Sequence, residues 1–256
     1  MEFTDKHVLG LKDLLYRMAD DLLILGHRNS EWTGLGPILE EDIAFSSMAQ
    51  DKIGQSLALY EILHELGESE PDTVAFTRNA EQFHSCHLVE LPIGEYDFSL
   101  VRHFFFDHQS ALRIEMLTET VVEPLQMVAR KFRGEIKYHT MHADSWLKQL
   151  ALGSEEAKIR MQQAINETFP YALGMFESSE FETELIEAGI FGGEVQLKET
   201  WLRVISEKLN NFGYTMPDIE TTEPILGGRK GVHTEFLQPL LDEMTEVFSI
   251  DPSADW

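Results

Sequence analysis

The stretch EEDIAFSSMAQDKIGQSLALYEILHEL, residues 40–66, decides the fold class. Ala44, Met48, Asp51, Gln55, Ala58, Ile62 and Leu66 recur at the three-and-four spacing of one helical face, and Gly67 closes the run. A helix this long needs a partner for its apolar stripe, and the chain supplies several. Upstream, residues 6–30 place Leu11, Leu15, Met18, Leu22 and Leu25 on one face before the breakers of Asn29–Pro37. Downstream, a third helix is predicted over about 98–122. It carries Phe104, Phe105 and Phe106 as core, with Asp107, His108 and Glu115 facing inward. Pro124 separates it from a fourth, about 125–150, with Leu125, Val128, Phe132, Ile136, His139, Ala143 and Leu150 in line and Glu135 at the edge.

Residues 68–97 hold only short helical pieces, and a connection of this size can cross a bundle end to end. Further helices are predicted at about 155–176 (interrupted at Pro170), 179–188, 194–211 and 234–248. No β-alternation and no repeat occurs. The expectation is one all-α domain spanning 1–256. Its core is a four-helix bundle over about 6–150, with a helical extension over about 155–250.

Acids within apolar stripes need an explanation, because a buried carboxylate must be paired, hydrogen-bonded or metal-bound. In bundles, di-iron sites take one Glu from each of two helices and Glu-x-x-His from each of the other two. Here Asp51 is followed three residues on by Gly54, and Glu135 by Tyr138. Gly54 has no ligating atom. The first helix has no acid on its stripe, Asp21 lying at the edge and Asp20 on the opposite side. Gln55, one turn after Asp51, and His139, one turn after Glu135, complete a polar set that falls short of two irons. A metal-free polar network is therefore expected, with a rearranged site of Asp51, Asp107, His108, Glu115, Glu135 and His139 as the alternative. His142 is expected to face solvent or cap the helix.

The net charge of −25 excludes nucleic acid or an anionic membrane as the main partner. The lone cysteine, Cys86, excludes an internal disulfide, and its environment is expected to be structural. The first residues, MEFTDKHVLGLKDLL, lack a basic segment leading into an apolar one, and no apolar run of membrane-spanning length occurs. A cytoplasmic protein is expected. One basic, glycine-rich stretch stands out: Gly227-Gly228-Arg229-Lys230-Gly231-Val232-His233-Thr234-Glu235. It is read as a surface loop opening a helix, with Arg229, Lys230 and His233 as candidates for a partner or anion contact. It lacks P-loop spacing.

Together these residues resemble a known family. The chain is similar to the C subunits of the ring 1,2-phenylacetyl-CoA epoxidases, members of the phenylacetic acid catabolic proteins. The likeness rests on Ser30-Glu31-Trp32-Thr33-Gly34, on Leu39–Ala44 with Asp51-Lys52-Ile53-Gly54-Gln55, and on Asp72–Arg78. It continues through Leu88–Pro92, Glu135–His139 and Gly227–Glu235. The resemblance implies a ferritin-like fold and a place in a multicomponent monooxygenase. There a paralogous A subunit holds the di-iron centre and substrate, a B subunit bridges, and a reductase delivers electrons from NADPH. It implies no catalytic residue, metal or cofactor in this chain, and a structural role beside the A subunit. Alternatives are an independent ferritin-like metalloenzyme and a homodimeric scaffold.

Overall fold

The computed structural model describes residues 3–251, and among these every regular element is helical. The long helices are α1 (Asp5–Ser30), α2 (Leu39–Glu65), α5 (Tyr96–Leu117), α6 (Glu123–Ala151), α7 (Glu155–Gly174) and α9 (Glu194–Phe212). Short helices α3 (Pro71–Phe76) and α4 (His87–Glu90) lie in the predicted crossover, and α8 (Glu182–Glu187) and α10 (Leu237–Thr245) follow later. The fold is all-α and ferritin-like, as the periodicity and the resemblance implied.

Several boundaries differ from the sequence reading for local reasons. The third helix stops at Leu117, not 122, where the Thr118 hydroxyl turns back onto the Glu115 carbonyl. Pro124 does not precede the fourth helix but lies in its first turn, where a missing N–H costs nothing. Pro170 does not interrupt α7: the carbonyl it cannot bond belongs to exposed Asn166. The last helix begins at Leu237 instead of 234.

The chain divides into two compact units, one of residues up to Leu11 with Ile93–Leu226, the other of Lys12–Pro92 with Gly227 onward. In the first, α5 packs against α6, α7 and α9. Trp201 of α9 anchors this core, stacked on Phe169 at a ring-centroid distance of 6.2 Å and tilted against Phe105 at 5.6 Å. Its indole Nε1 donates to the Phe105 carbonyl at 3.0 Å, so the buried ring leaves no orphan donor. Gly174 ends α7 where the backbone passes close: a Cβ there would lie 2.1 Å from the Ile225 carbonyl oxygen.

In the second unit, α1 and α2 lie against each other. The Ser56 hydroxyl donates to the Ala19 carbonyl at 2.8 Å, and Gly26 admits Ile53, which a Cβ would meet at 2.8 Å. The Leu22-Leu23-Ile24-Leu25 run of α1 is buried throughout, so this part of the helix is buried all round instead of showing one apolar stripe.

Candidate functional site

The acids and imidazoles singled out in the sequence differ in exposure from helix to helix. On α2, Asp51 is half-buried, Gln55 is buried, and Gly54 faces outward with nothing within 4 Å of the place a Cβ would occupy. The buried side of this helix carries a residue the sequence reading passed over, Lys52, 1% exposed.

On α5, Asp107 is buried one turn after His103, whose Nδ1 lies 3.0 Å from its Oδ2. His108 Nε2 meets Asp144 Oδ1 at 2.8 Å, and Lys208 Nζ donates to Asp144 Oδ2 at 2.5 Å. Burial pushes the Asp144 carboxyl up. The hydrogen bonds and charges of His108 and Lys208 outweigh this and hold its pKa below the ordinary carboxylate value. Glu115, expected to face inward, is exposed and meets Arg133 Nε at 3.1 Å. The register explains it: Asp107 and Glu115 are eight residues apart, about 80° around a helix of 3.6 residues per turn.

On α6, His139 is buried and Glu135 half-buried, but Tyr138 is 42% exposed. His142 is buried, contrary to the solvent-facing position expected for it. Among the described residues, no group of three or more His, Cys, Asp or Glu side chains could hold a metal ion. Two of the candidate ligand positions, Glu115 and Tyr138, face solvent, and Gly54 has no side chain. Asp144, which does meet an imidazole, is occupied by an ammonium as well.

The basic segment at 227–235 turns Arg229 and His233 inward. Arg229, in a 3-10 turn over Gly228–Lys230, is buried. Its Nη2 donates to Asp21 Oδ2 at 2.7 Å, and its Nη1 donates to the carbonyls of His84 at 2.8 Å and Arg17 at 3.1 Å. His233 Nε2 donates to the Phe83 carbonyl at 3.0 Å, while Nδ1 lies 2.7 Å from Glu90 Oε1. Glu90 Oε2 accepts from both the backbone N–H and the hydroxyl of Thr234 at 2.8 Å. Two of the three candidates for an external contact are thus spent inside the fold, and only Lys230 is exposed. Glycine is required here, since a Cβ on Gly228 would lie 2.2 Å from the Ser85 carbonyl oxygen.

A second pair stands beside this one. Asp20 accepts from Arg78 Nη2 at 2.6 Å, from the Tyr60 hydroxyl at 2.5 Å and from the His84 backbone N–H at 2.7 Å. Burial and the Asp20 charge push the Tyr60 hydroxyl well above its ordinary value, so it stays a donor. Asp21 Oδ1 accepts the Cys86 N–H at 2.8 Å. Burial, then the Asp21 charge, raise the Cys86 thiol, which leaves it protonated and unsuited to nucleophilic work. The sequence reading placed Asp20 and Asp21 off the core because it sought a single stripe. The four consecutive apolar residues after them were the available sign that this part of α1 is buried all round.

Comparison with known proteins accords with this picture. The phenylacetic acid catabolic protein family matches residues 2–256. The C subunit of the 1,2-phenylacetyl-CoA epoxidase of Escherichia coli (strain K12) is 32% identical over 241 residues, spanning 94% of this chain and 96% of that protein. With a family match over nearly its whole length and a relative similar from end to end, the chain belongs to the phenylacetic acid catabolic protein family.

Proposed function

We propose that the chain is a non-catalytic structural subunit of a cytoplasmic, multicomponent epoxidase that epoxidises the aromatic ring of phenylacetyl-CoA in phenylacetate catabolism. Its partner is a catalytic A-type paralogue that holds the di-iron centre, joined by a bridging B-type subunit and an NADPH-dependent reductase. This chain binds no iron of its own. It contributes a rigid helical body that stabilises the catalytic paralogue.

The observation that carries this reading is the state of the ligand positions. Gly54 is bare and outward, Tyr138 and Glu115 are exposed, and Lys52 lies buried one residue from Asp51. The name of the E. coli relative supplies the reaction and substrate. The test is co-expression with the A-type paralogue in iron-supplemented cells, followed by metal analysis of the separate chains and of the complex. Iron is expected in the paralogue alone, and epoxidation only when both chains are present. Near-stoichiometric iron in this chain, lost on Glu135→Ala, would overturn the reading in favour of a rearranged metalloenzyme. Failure to co-purify under gentle salt would favour an independent scaffold.

A further inference from the structure

The outer face of α6 is unlike the rest of this acidic chain. At about 100° per residue, Met127, Gly134, Met141, Ser145 and Leu152 fall within about 40° of one line, roughly 38 Å long at 1.5 Å per residue. Met127 is 64% exposed, Met141 56% and Leu152 78%, and Tyr138 lies beside them. Arg130, Lys137 and Lys148 flank the line on one side and Lys131 on the other, all exposed. From Met127 to Leu152 this face carries no acid: Glu135 is half-buried to one side and Asp144 is held by His108 and Lys208. Among the described residues, none of the four flanking cations forms an ion pair. A chain of net charge −25 has thus left a row of cations without counter-charges along one helix.

Gly134 adds an independent sign. It sits in the middle of a helix, exposed, with nothing within 4 Å of where a Cβ would lie. Glycine there weakens the helix and packs against nothing within the chain. Its use is to let another backbone approach.

We propose that this face is a docking surface for a partner subunit, and that the partner presents an acidic helical face with an apolar centre. An apolar middle containing Met and Tyr within a charged rim is the anatomy of a protein–protein interface. A uniform polyanion such as nucleic acid or an anionic membrane meets the repulsion of the whole chain, whereas a protein can confine its acids to the matching patch. The assignment rests on the reading of the chain as a structural subunit, and it names the surface that this role uses.

The test measures binding of the full chain to the purified A-type paralogue, by calorimetry, for wild type, Lys137→Glu/Met141→Glu and Gly134→Ala. The double variant is expected to bind at least about tenfold more weakly, the scale of losing central interface contacts, with an unchanged melting temperature because both sites are exposed. Gly134→Ala is expected to melt higher yet bind more weakly, a combination that a purely intramolecular role does not give. Raising NaCl from about 50 to about 500 mM is expected to weaken the wild-type complex several-fold. As a control, Ile159→Glu on the exposed side of α7 should leave affinity unaltered. A wild-type complex with all α6 variants binding equally well overturns the docking surface and leaves the functional reading standing. No wild-type complex at all overturns both. A homodimer broken by the α6 variants identifies a second copy as the occupant and overturns the acidic partner.

Discussion

In the unit of Lys12–Pro92 and Gly227 onward, the interior holds interlocked charges: Asp20 with Arg78, Asp21 with Arg229, Glu90 with His233. In the unit centred on α5 and α9, an aromatic cluster surrounds Trp201, and the buried pairs Arg113 with Glu194 and His103 with Asp107 are carried by long helices. The difference follows from the local structure each must hold. Helices of two to eight turns satisfy their own backbone groups and can be buried with apolar side chains alone. The segments at 77–92 and 227–236 are short turns, and their N–H and C=O groups need partners from elsewhere. The charged side chains supply them. Asp20 and Asp21 take the N–H groups of His84 and Cys86, Arg229 serves the His84 carbonyl, and Arg28 donates twice to the Glu90 carbonyl. These charges are buried because irregular backbone is buried.

The largest effect should come from breaking that clasp. Arg229→Met is expected to destabilise the protein by about 3–5 kcal/mol, since it strands the Asp21 carboxylate and the His84 carbonyl away from water. Urea denaturation reads this directly. Adding Asp21→Asn to Arg229→Met should cost much less than the sum of the two single changes, because the second substitution removes the stranded charge. Strict additivity would mean that the pair does not act as a unit, and the contrast between the two interiors would dissolve. In the aromatic unit a comparable polar loss should be milder. Trp201→Phe removes the indole donor and part of the ring but leaves the Phe105 carbonyl within its helix, so about 1–2 kcal/mol is expected by the same measurement. A loss as large as that of Arg229→Met would show that this core also depends on a single polar link.

The same contrast governs what could be read from sequence. The long helices of both units were legible because periodicity is a local property, and the aromatic run at Phe104–Phe106 announced its own burial. The boundary that moved at Leu117 goes with a single hydrogen bond of Thr118, and ahead of Leu237 Thr234 is held by Glu90; neither leaves a periodic trace. In the ligand set, the absence of a side chain at Gly54 was legible outright. The outward turn of Glu115 was within reach of the sequence as well, since its eight-residue spacing from Asp107 carries it about 80° around the helix. The clasp was missed for a further reason. Arg229 and Asp21 lie more than 200 residues apart, and nothing in either neighbourhood says that a glycine-rich basic stretch folds inward. The close approach at Gly228 and the positive φ of 127° at Gly227, both invisible without coordinates, explain the two glycines before the arginine.

The smallest effect tests the polar groups nearer the surface. Asp144 is a partly exposed carboxylate held by Lys208 and His108, so its pair with Lys208 should be worth at most about 1 kcal/mol. Its pKa is depressed in the folded chain. A depressed carboxylate contributes stability above its unfolded value, near pH 3.9, and loses it as pH falls through the folded value. The Lys208→Met protein should therefore be less stable than wild type by up to that amount near neutral pH, and the gap should narrow below about pH 4 as Asp144 takes up a proton in both. Denaturation of the two proteins at neutral pH and near pH 3 checks this. A gap that stays constant would trace the cost to the lysine stem and its packing. In the clasp, by contrast, the charges hold backbone that has no other partner, so there the loss of an ion pair and the loss of packing cannot be separated by pH alone.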